Sequence, residues 1–270
     1  MRHKPHQSVH KNRKTGRRHP LAMVALLALA LGMTGGAYAV FNSSTASAET
    51  QAASQQSIDQ GKKLFMANCA TCHGLQAQGS GVAPSLIGVG AASVDFQVGT
   101  GRMPMAMNGP QAQQKPPQFT EEQTAQLAAY VASLAPGPAI PEGSVLDANG
   151  DVTNGGVLFR TNCAMCHNVA GAGGALTEGK FAPPLNGVTP KHIYEAMETG
   201  PQNMPVFNDA NISQSDKRDI ISYLNFLDTH PSPGGYDLGS LGPVSEGLFL
   251  WIFGLGAIVG VTVWITAKSN

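Results

Sequence analysis

Residues 61–73 read GKKLFMANCATCH and residues 155–167 read GGVLFRTNCAMCH, with eight of thirteen positions identical at a constant offset of 94. The match continues outward. Ala83-Pro84-Ser85-Leu86-Ile87-Gly88-Val89 aligns with Ala182-Pro183-Pro184-Leu185-Asn186-Gly187-Val188, and Thr100-Gly101 before Met103-Pro104 aligns with Thr199-Gly200 before Met204-Pro205. Self-similarity at a fixed offset marks a duplicated structural unit, here one copy over 61–134 and a second over 155–227.

Each copy closes on an amphipathic helix. Thr120 followed by Gln123 forms a capping box, and Ser213 followed by Asp216 places a side-chain cap before an acidic N3 residue. Leu127, Tyr130, Val131 and Leu134 recur at i, i+3, i+4 and i+7, as do Ile220, Tyr223, Leu224 and Leu227. The opening helices, near 58–70 and 153–164, are expected to bring Leu64-Phe65 and Leu158-Phe159 against the tyrosine-bearing helices. Gly, Pro and Gln dominate between helices, so each unit of about 75 residues has a thin core and needs a staple or a bound cofactor.

All four cysteines lie in C-x-x-C-H, as Cys69-Ala70-Thr71-Cys72-His73 and Cys163-Ala164-Met165-Cys166-His167. Two thiols three residues apart can add to the two vinyl groups of a haem, and the adjacent histidine then faces the iron. A disulfide framework would not require a histidine after each pair. A zinc site would need its two pairs about 15–20 residues apart, whereas 90 residues separate Cys72 from Cys163. A thioredoxin-type pair would need a strand-rich α/β neighbourhood, which is lacking. Two covalently bound haem c groups are therefore expected, held by Cys69 and Cys72 and by Cys163 and Cys166, with His73 and His167 on the irons.

A Met-Pro pair follows each histidine at loop distance: Met103 is 30 residues after His73, and Met204 is 37 after His167. A thioether is a soft iron ligand, and His/Met ligation closes the iron to small molecules and leaves electron transfer. Met103 and Met204 are the axial candidates because the pair sits at the matched point of both repeats. Met105 and Met107 compete with Met103 in the first copy, while His192 and Met197 read as packing or surface residues of a helix. Pro84 and Pro183 stand where a backbone carbonyl accepts the free N–H of the haem histidine.

The chain has 270 residues and a formal net charge of zero, which hides three unlike segments. Residues 1–20 carry seven basic and no acidic side chains, residues 49–246 carry 17 acids against nine bases, and Lys268 stands alone after them. Residues 21–33 are an unbroken apolar run followed by Ala-x-Ala sites, the pattern of an export signal, either cleaved or retained as an anchor over 21–41. Nucleic-acid binding is the weaker reading of the basic end. Residues 248–266 contain no charge and make about 28 Å of helix, enough to span a bilayer, with Trp251 and Trp264 near its ends. The basic flank orients the N-terminus to the cytoplasm and residues 49–246 outside. Gly256-x-x-x-Gly260 permits close packing on another membrane helix, a spacing common by chance in Gly-rich apolar sequence.

These residues resemble class I c-type cytochromes: Gly61-x-x-x-Phe65 and Gly155-x-x-x-Phe159, both C-x-x-C-H motifs, the Pro-x-Leu-x-Gly loops, Met-Pro and a closing helix with tyrosine. The full order, with Pro233-Gly234-Gly235-Tyr236, Gly242-Pro243 and Glu246-Gly247 leading into the terminal apolar run, resembles the di-haem cytochrome c subunit of the actinobacterial cytochrome bcc (bc1-type) menaquinol:cytochrome c oxidoreductase. The Met-Pro-Met-Ala-Met run after Arg102 departs from that pattern.

The resemblance implies a mainly α fold of two tandem class I cytochrome c domains with an N-terminal signal or anchor helix and a C-terminal transmembrane helix. The expected organisation is a basic segment 1–20, an apolar segment 21–41, a linker 42–57, domain 1 over 58–134, a Pro-rich spacer 135–151, domain 2 over 152–228, a Gly/Pro-rich connector 229–247 and a span 248–267. It also implies electron transfer from a Rieske iron-sulfur subunit to a cytochrome c oxidase, with a cytochrome b subunit as partner, in a dimeric supercomplex in the cell membrane. The haem domains would lie on the extracytoplasmic face, and the chain would be an electron-carrying subunit of a quinol–cytochrome-c reductase. Two rivals are a di-haem cytochrome c peroxidase and an electron-transfer subunit of another oxidase or dehydrogenase.

Overall fold

The computed structural model describes residues 20–230 and 243–268. The basic residues 1–19, the Pro233-Gly234-Gly235-Tyr236 segment and Gly242 lie outside the described residues. The chain divides after Gln55 into two compact units.

The first unit holds most of helix α1, Pro20–Asn68, whose last turns belong to the second unit. Its stretch Leu21–Gly36 is apolar and exposed but shorter than a bilayer span. Where a linker was expected, 42–57 are helical. Those residues contain neither proline nor glycine and are rich in Ala, Gln and Ser, so nothing in them terminates a helix.

The second unit carries the duplication. In the first repeat the end of α1 is followed by α2 (Ala70–His73), α3 (Gly90–Gly99) and α4 (Glu121–Leu134). In the second, α5 (Val152–Asn162), α6 (Ala164–His167), α7 (Pro190–Thr199) and α8 (Gln214–Thr229) occupy the same order. Caps fix the starts. Thr120 and Gln123 form the reciprocal capping box, Ser213 accepts from the Asp216 amide, and Asp151 accepts from the Thr153 and Asn154 amides.

The opening and closing helices of each repeat cross at a glycine. A Cβ on Gly61 would lie 1.9 Å from the Gln126 carbonyl oxygen, and one on Gly155 would lie 1.9 Å from that of Asp219. Only glycine allows the backbones so close. Four residues on, Phe65 meets Tyr130 with ring centroids 5.3 Å apart, and Phe159 meets Tyr223 at 5.5 Å. These tilted pairs anchor two separate cores, one with Leu127 and Val131, the other with Ile193, Ile220 and Leu224.

Two features were not legible as patterns. A two-stranded antiparallel ribbon pairs Gly174–Ala175 with Phe181–Ala182 in the second repeat alone. The Pro-rich stretch after α4 is not a free spacer: the Ala92 amide donates to the Pro138 carbonyl at 3.1 Å, and Gly90 leaves no room for a Cβ beside Pro138. It is strapped along the first domain because Gly90 and Gly137 let two backbones meet.

The two domains dock through α3 and α7. Lys191 Nζ lies 2.7 Å from Asp95 Oδ2, and the His192 ring stands edge-on to Phe96. Gln111 adds a two-point contact, its amide nitrogen donating to the Phe181 carbonyl at 2.9 Å while its oxygen accepts from the Phe181 amide at 2.8 Å.

At the C-terminal end, α9 (Pro243–Phe249), a π-helical turn (Leu250–Leu255) and α10 (Gly256–Lys268) run on as one apolar helical stretch. Ser245–Ala267, 23 residues that include an 18-residue stretch of mean hydropathy 2.3, is the one helix among the described residues long and apolar enough to cross a membrane.

Candidate functional site

Each C-x-x-C-H is wound into a single helical turn. The Cys72 and His73 amides donate to the Cys69 carbonyl at 3.1 and 2.9 Å, and those of Cys166 and His167 donate to Cys163 at the same distances. Spacings of three and four residues put both thiols and the imidazole on one side of that turn.

The loops that follow repeat the same ladder. Gly79 donates to His73 and Leu86 to Ala77, as Gly173 donates to His167 and Leu185 to Gly171, all at 2.7–2.9 Å. This ladder brings Pro84 and Pro183 to the histidines. His73 Nδ1 lies 2.8 Å from the Pro84 carbonyl and His167 Nδ1 lies 2.9 Å from that of Pro183. A carbonyl only accepts, so Nδ1 carries the proton and the lone pair sits on Nε2, oriented for a metal. Burial pushes the His167 pKa down, opposed by that hydrogen bond.

In the second repeat, Cys163, Cys166, His167 and Met204 all line one cavity of about 450 Å³, with Phe159, Ile193, Met197 and Leu224 as apolar wall. That volume is within the range of pockets that enclose cofactor-sized ligands. Thiols to attach the group, an imidazole, a thioether and an apolar wall together fit a haem. In the first repeat, Cys69 and Met103 pack against the same core cluster, and the Met103 amide donates to the Gln97 carbonyl at 2.8 Å. Met105 and Met107 are exposed, Met107 by 78 %. Met103 is the inward-facing member of the three.

The thiol chemistry separates this site from a redox dithiol. Burial, reinforced by the neighbouring thiol, pushes Cys69 and Cys163 up to about 11, whereas a dithiol redox pair needs a lowered thiol pKa.

His192 faces the domain interface, its Nε2 3.7 Å from Asp95 Oδ2 and 4.0 Å from Glu195 Oε2, while Met197 is a core residue. The sequence reading missed Glu195, fully buried between the domains, and Arg102, buried and lining the second cavity from the first domain. One signal pointed to Arg102: it is the sole base between Lys63 and Lys115, directly before Met103.

Comparison with known proteins identifies the family. Residues 58–135 match the family model for cytochrome c, and residues 150–224 match that for cytochrome C oxidase, cbb3-type, subunit III. The chain is 45% identical to the cytochrome bc1 complex cytochrome c subunit of Corynebacterium efficiens, over 96% of this chain and 93% of that protein. It is likewise 45% identical to that of Corynebacterium diphtheriae, over 90% and 93%, and 43% identical to that of Mycobacterium tuberculosis, over 93% and 92%. With two haem-binding domains of cytochrome c type, each holding one covalently bound haem c, the chain belongs to the family of cytochrome c subunits of the cytochrome bc1 complex.

Proposed function

We propose that this chain takes electrons from the Rieske subunit of a bc1-type quinol oxidoreductase at its first domain and delivers them from its second to a cytochrome c oxidase. Each haem c supplies a one-electron iron couple when bound. Cys69 and Cys72, and Cys163 and Cys166, would tether the groups, and His73 with Met103, and His167 with Met204, would hold the irons and leave no position open to small ligands. Pro84 and Pro183 hold the imidazoles in the tautomer that presents Nε2.

The observation that carries this reading is the convergence of Cys163, Cys166, His167 and Met204 on one apolar cavity. A chain that would close both irons with its own side chains, and whose domains are docked, is suited to passing electrons rather than turning over a substrate. The segment Ser245–Ala267 anchors it in the cell membrane, since so many exposed apolar side chains are not stable in water. The basic flank at 1–20 keeps the N-terminus cytoplasmic and the haem domains on the extracytoplasmic face.

Purification in mild detergent, followed by subunit identification and a pyridine haemochrome count, tests the proposal. Cytochrome b, the Rieske subunit and oxidase subunits are expected to co-purify in a dimeric supercomplex, with two c-type haems per chain. Purification with an oxidase alone would instead make the chain an electron-transfer module of that oxidase.

A further inference from the structure

Arg102 belongs to the first domain, yet its side chain lines the cavity that holds Cys163, Cys166, His167 and Met204. It is 8 % exposed, and its guanidinium carbon sits 4.8 Å from the centroid of the Phe96 ring. Among the described residues no carboxylate pairs with it and its side chain makes no hydrogen bond. Lys115, whose Nζ donates to the Gly101 and Pro104 carbonyls, adds a second cation on the same loop rather than a counter-charge.

The backbone on both sides of Arg102 is fixed. Gly101 donates to Val98 at 2.9 Å and Met103 donates to Gln97 at 2.8 Å, and a Cβ on Gly101 would lie 1.8 Å from the Lys115 carbonyl oxygen. The guanidinium is therefore placed, not merely tolerated. A buried charge left without a partner is strongly destabilising, and a guanidinium is the side chain best matched to a carboxylate, which it grips with two parallel hydrogen bonds. The cavity it faces takes a group bearing two propionate carboxylates.

We propose that Arg102 of the first domain binds a propionate of the haem attached to the second domain. The inference rests on the two-haem reading. It makes the second site incomplete without the first domain, and it joins that site to the first by one peptide bond, since Arg102 directly precedes the candidate axial ligand Met103. Arg102 is thus a positioning residue that also sets the charge at the second haem.

The test is potentiometric titration of both haems in the full chain purified with its complex, the second haem being assigned as the component displaced by Met204→His. Removing a positive charge favours the oxidised, more positive iron. Arg102→Gln should lower the reduced-to-oxidised ratio of the second haem about tenfold at fixed ambient potential, 59 mV for a one-electron couple. Arg102→Lys should recover most of that loss. An unchanged second-haem midpoint with both haems present, or a shift confined to the first haem, overturns the proposal. An experimental structure of the haem-loaded complex decides it even where Arg102→Gln does not accumulate: the guanidinium should lie within hydrogen-bond distance of a second-haem carboxylate, and one directed elsewhere overturns the assignment. A haemochrome count other than two in the unaltered chain would sink the haem reading itself, a different outcome.

Discussion

Gly155→Ala would place a methyl 1.9 Å from the Asp219 carbonyl oxygen and 2.4 Å from its carbonyl carbon. A carbon–oxygen contact relaxes only near 3.3 Å, so α5 must retreat from α8 by about 1.4 Å. Neither atom belongs to a side chain that can swing aside. Overpacking of this kind costs about 1–3 kcal/mol, and the unyielding backbone puts it at the upper end. Alanine returns roughly 1 kcal/mol of helix propensity, which leaves a net loss of about 2 kcal/mol. For a domain this small that corresponds to a melting transition roughly 8–16 °C lower.

The neighbouring glycine supplies the control. A Cβ on Gly156 would meet Arg160 Nη1 and the Tyr223 ring at 3.1 Å, atoms that can move by the few tenths of an ångström required. Gly156→Ala should then be neutral to within about 1 kcal/mol, its propensity gain offsetting the tight contact. Thermal loss of the haem absorption band in the full chain reads both variants. A Gly155→Ala midpoint no lower than that of Gly156→Ala would show that backbone approach is not what the repeated glycine provides.

The remaining predictions concern the site and the interface. Met204→Leu should abolish the thioether-to-iron absorption band of one haem and admit carbon monoxide there, whereas Met197→Leu, a core change, should keep the band and cost less than about 1.5 kcal/mol. Lys217, fully buried and donating to Glu198 and Asp209, ties α8 to α7 and to the loop between them, and Lys217→Met should cost about 2 kcal/mol in chemical denaturation. Burial, then the charge of Asp95, pushes Glu195 up to about 9, while Asp95, which burial alone would raise, is held down to about 2 by the neighbouring His192, Lys191 and Glu195 side chains. The folded chain thus keeps a proton on Glu195 that the unfolded chain releases above its ordinary value of 4.5. Stability should fall as pH rises from about 4.5 to about 9, a slope in the melting temperature that Glu195→Gln flattens. The Asp95 contribution has the opposite sense, being present above 3.8 and lost as pH falls through about 2. An equal slope in Glu195→Gln would exclude this carboxyl as its source.

The duplicated architecture was legible because its determinants are local. Gly61 and Gly155, the Phe–Tyr pairs, the caps at Thr120 and Ser213 and the C-x-x-C-H turns each recur at matched points of the two copies, and the structure brings Phe65 and Phe159 to the tyrosine-bearing helices and caps those helices at Thr120 and Ser213, as expected. The Pro84 and Pro183 carbonyls followed from the same repeat. What escaped lies where the repeats differ. Asp95, Arg102 and Gln111 act across to the other domain, where one partner is a histidine, another a backbone ribbon and another a cavity, so no periodicity announces them. The strapped spacer was missed for a related reason: Pro-rich composition reports stiffness, but whether such a segment stands free depends on the glycine it meets, here Gly90, nearly fifty residues earlier.

Those cross-domain contacts change what the linker means. With residues 137–138 lying on the first domain and α3 held to α7 by Lys191 and Asp95, the separation of the two binding sites is set by packing rather than by the length of a tether. A flexible tether would sample many separations and leave transfer to chance encounter; a docked pair fixes one. The charge follows the same division. Residues 58–134 hold four acids against four bases and residues 152–228 hold seven against five, so the excess negative charge is greater on the second domain. Because the domains are joined, that excess has no part in bringing them together. It remains available to the outside, where it would orient a basic partner toward the second domain and weaken in effect as salt rises.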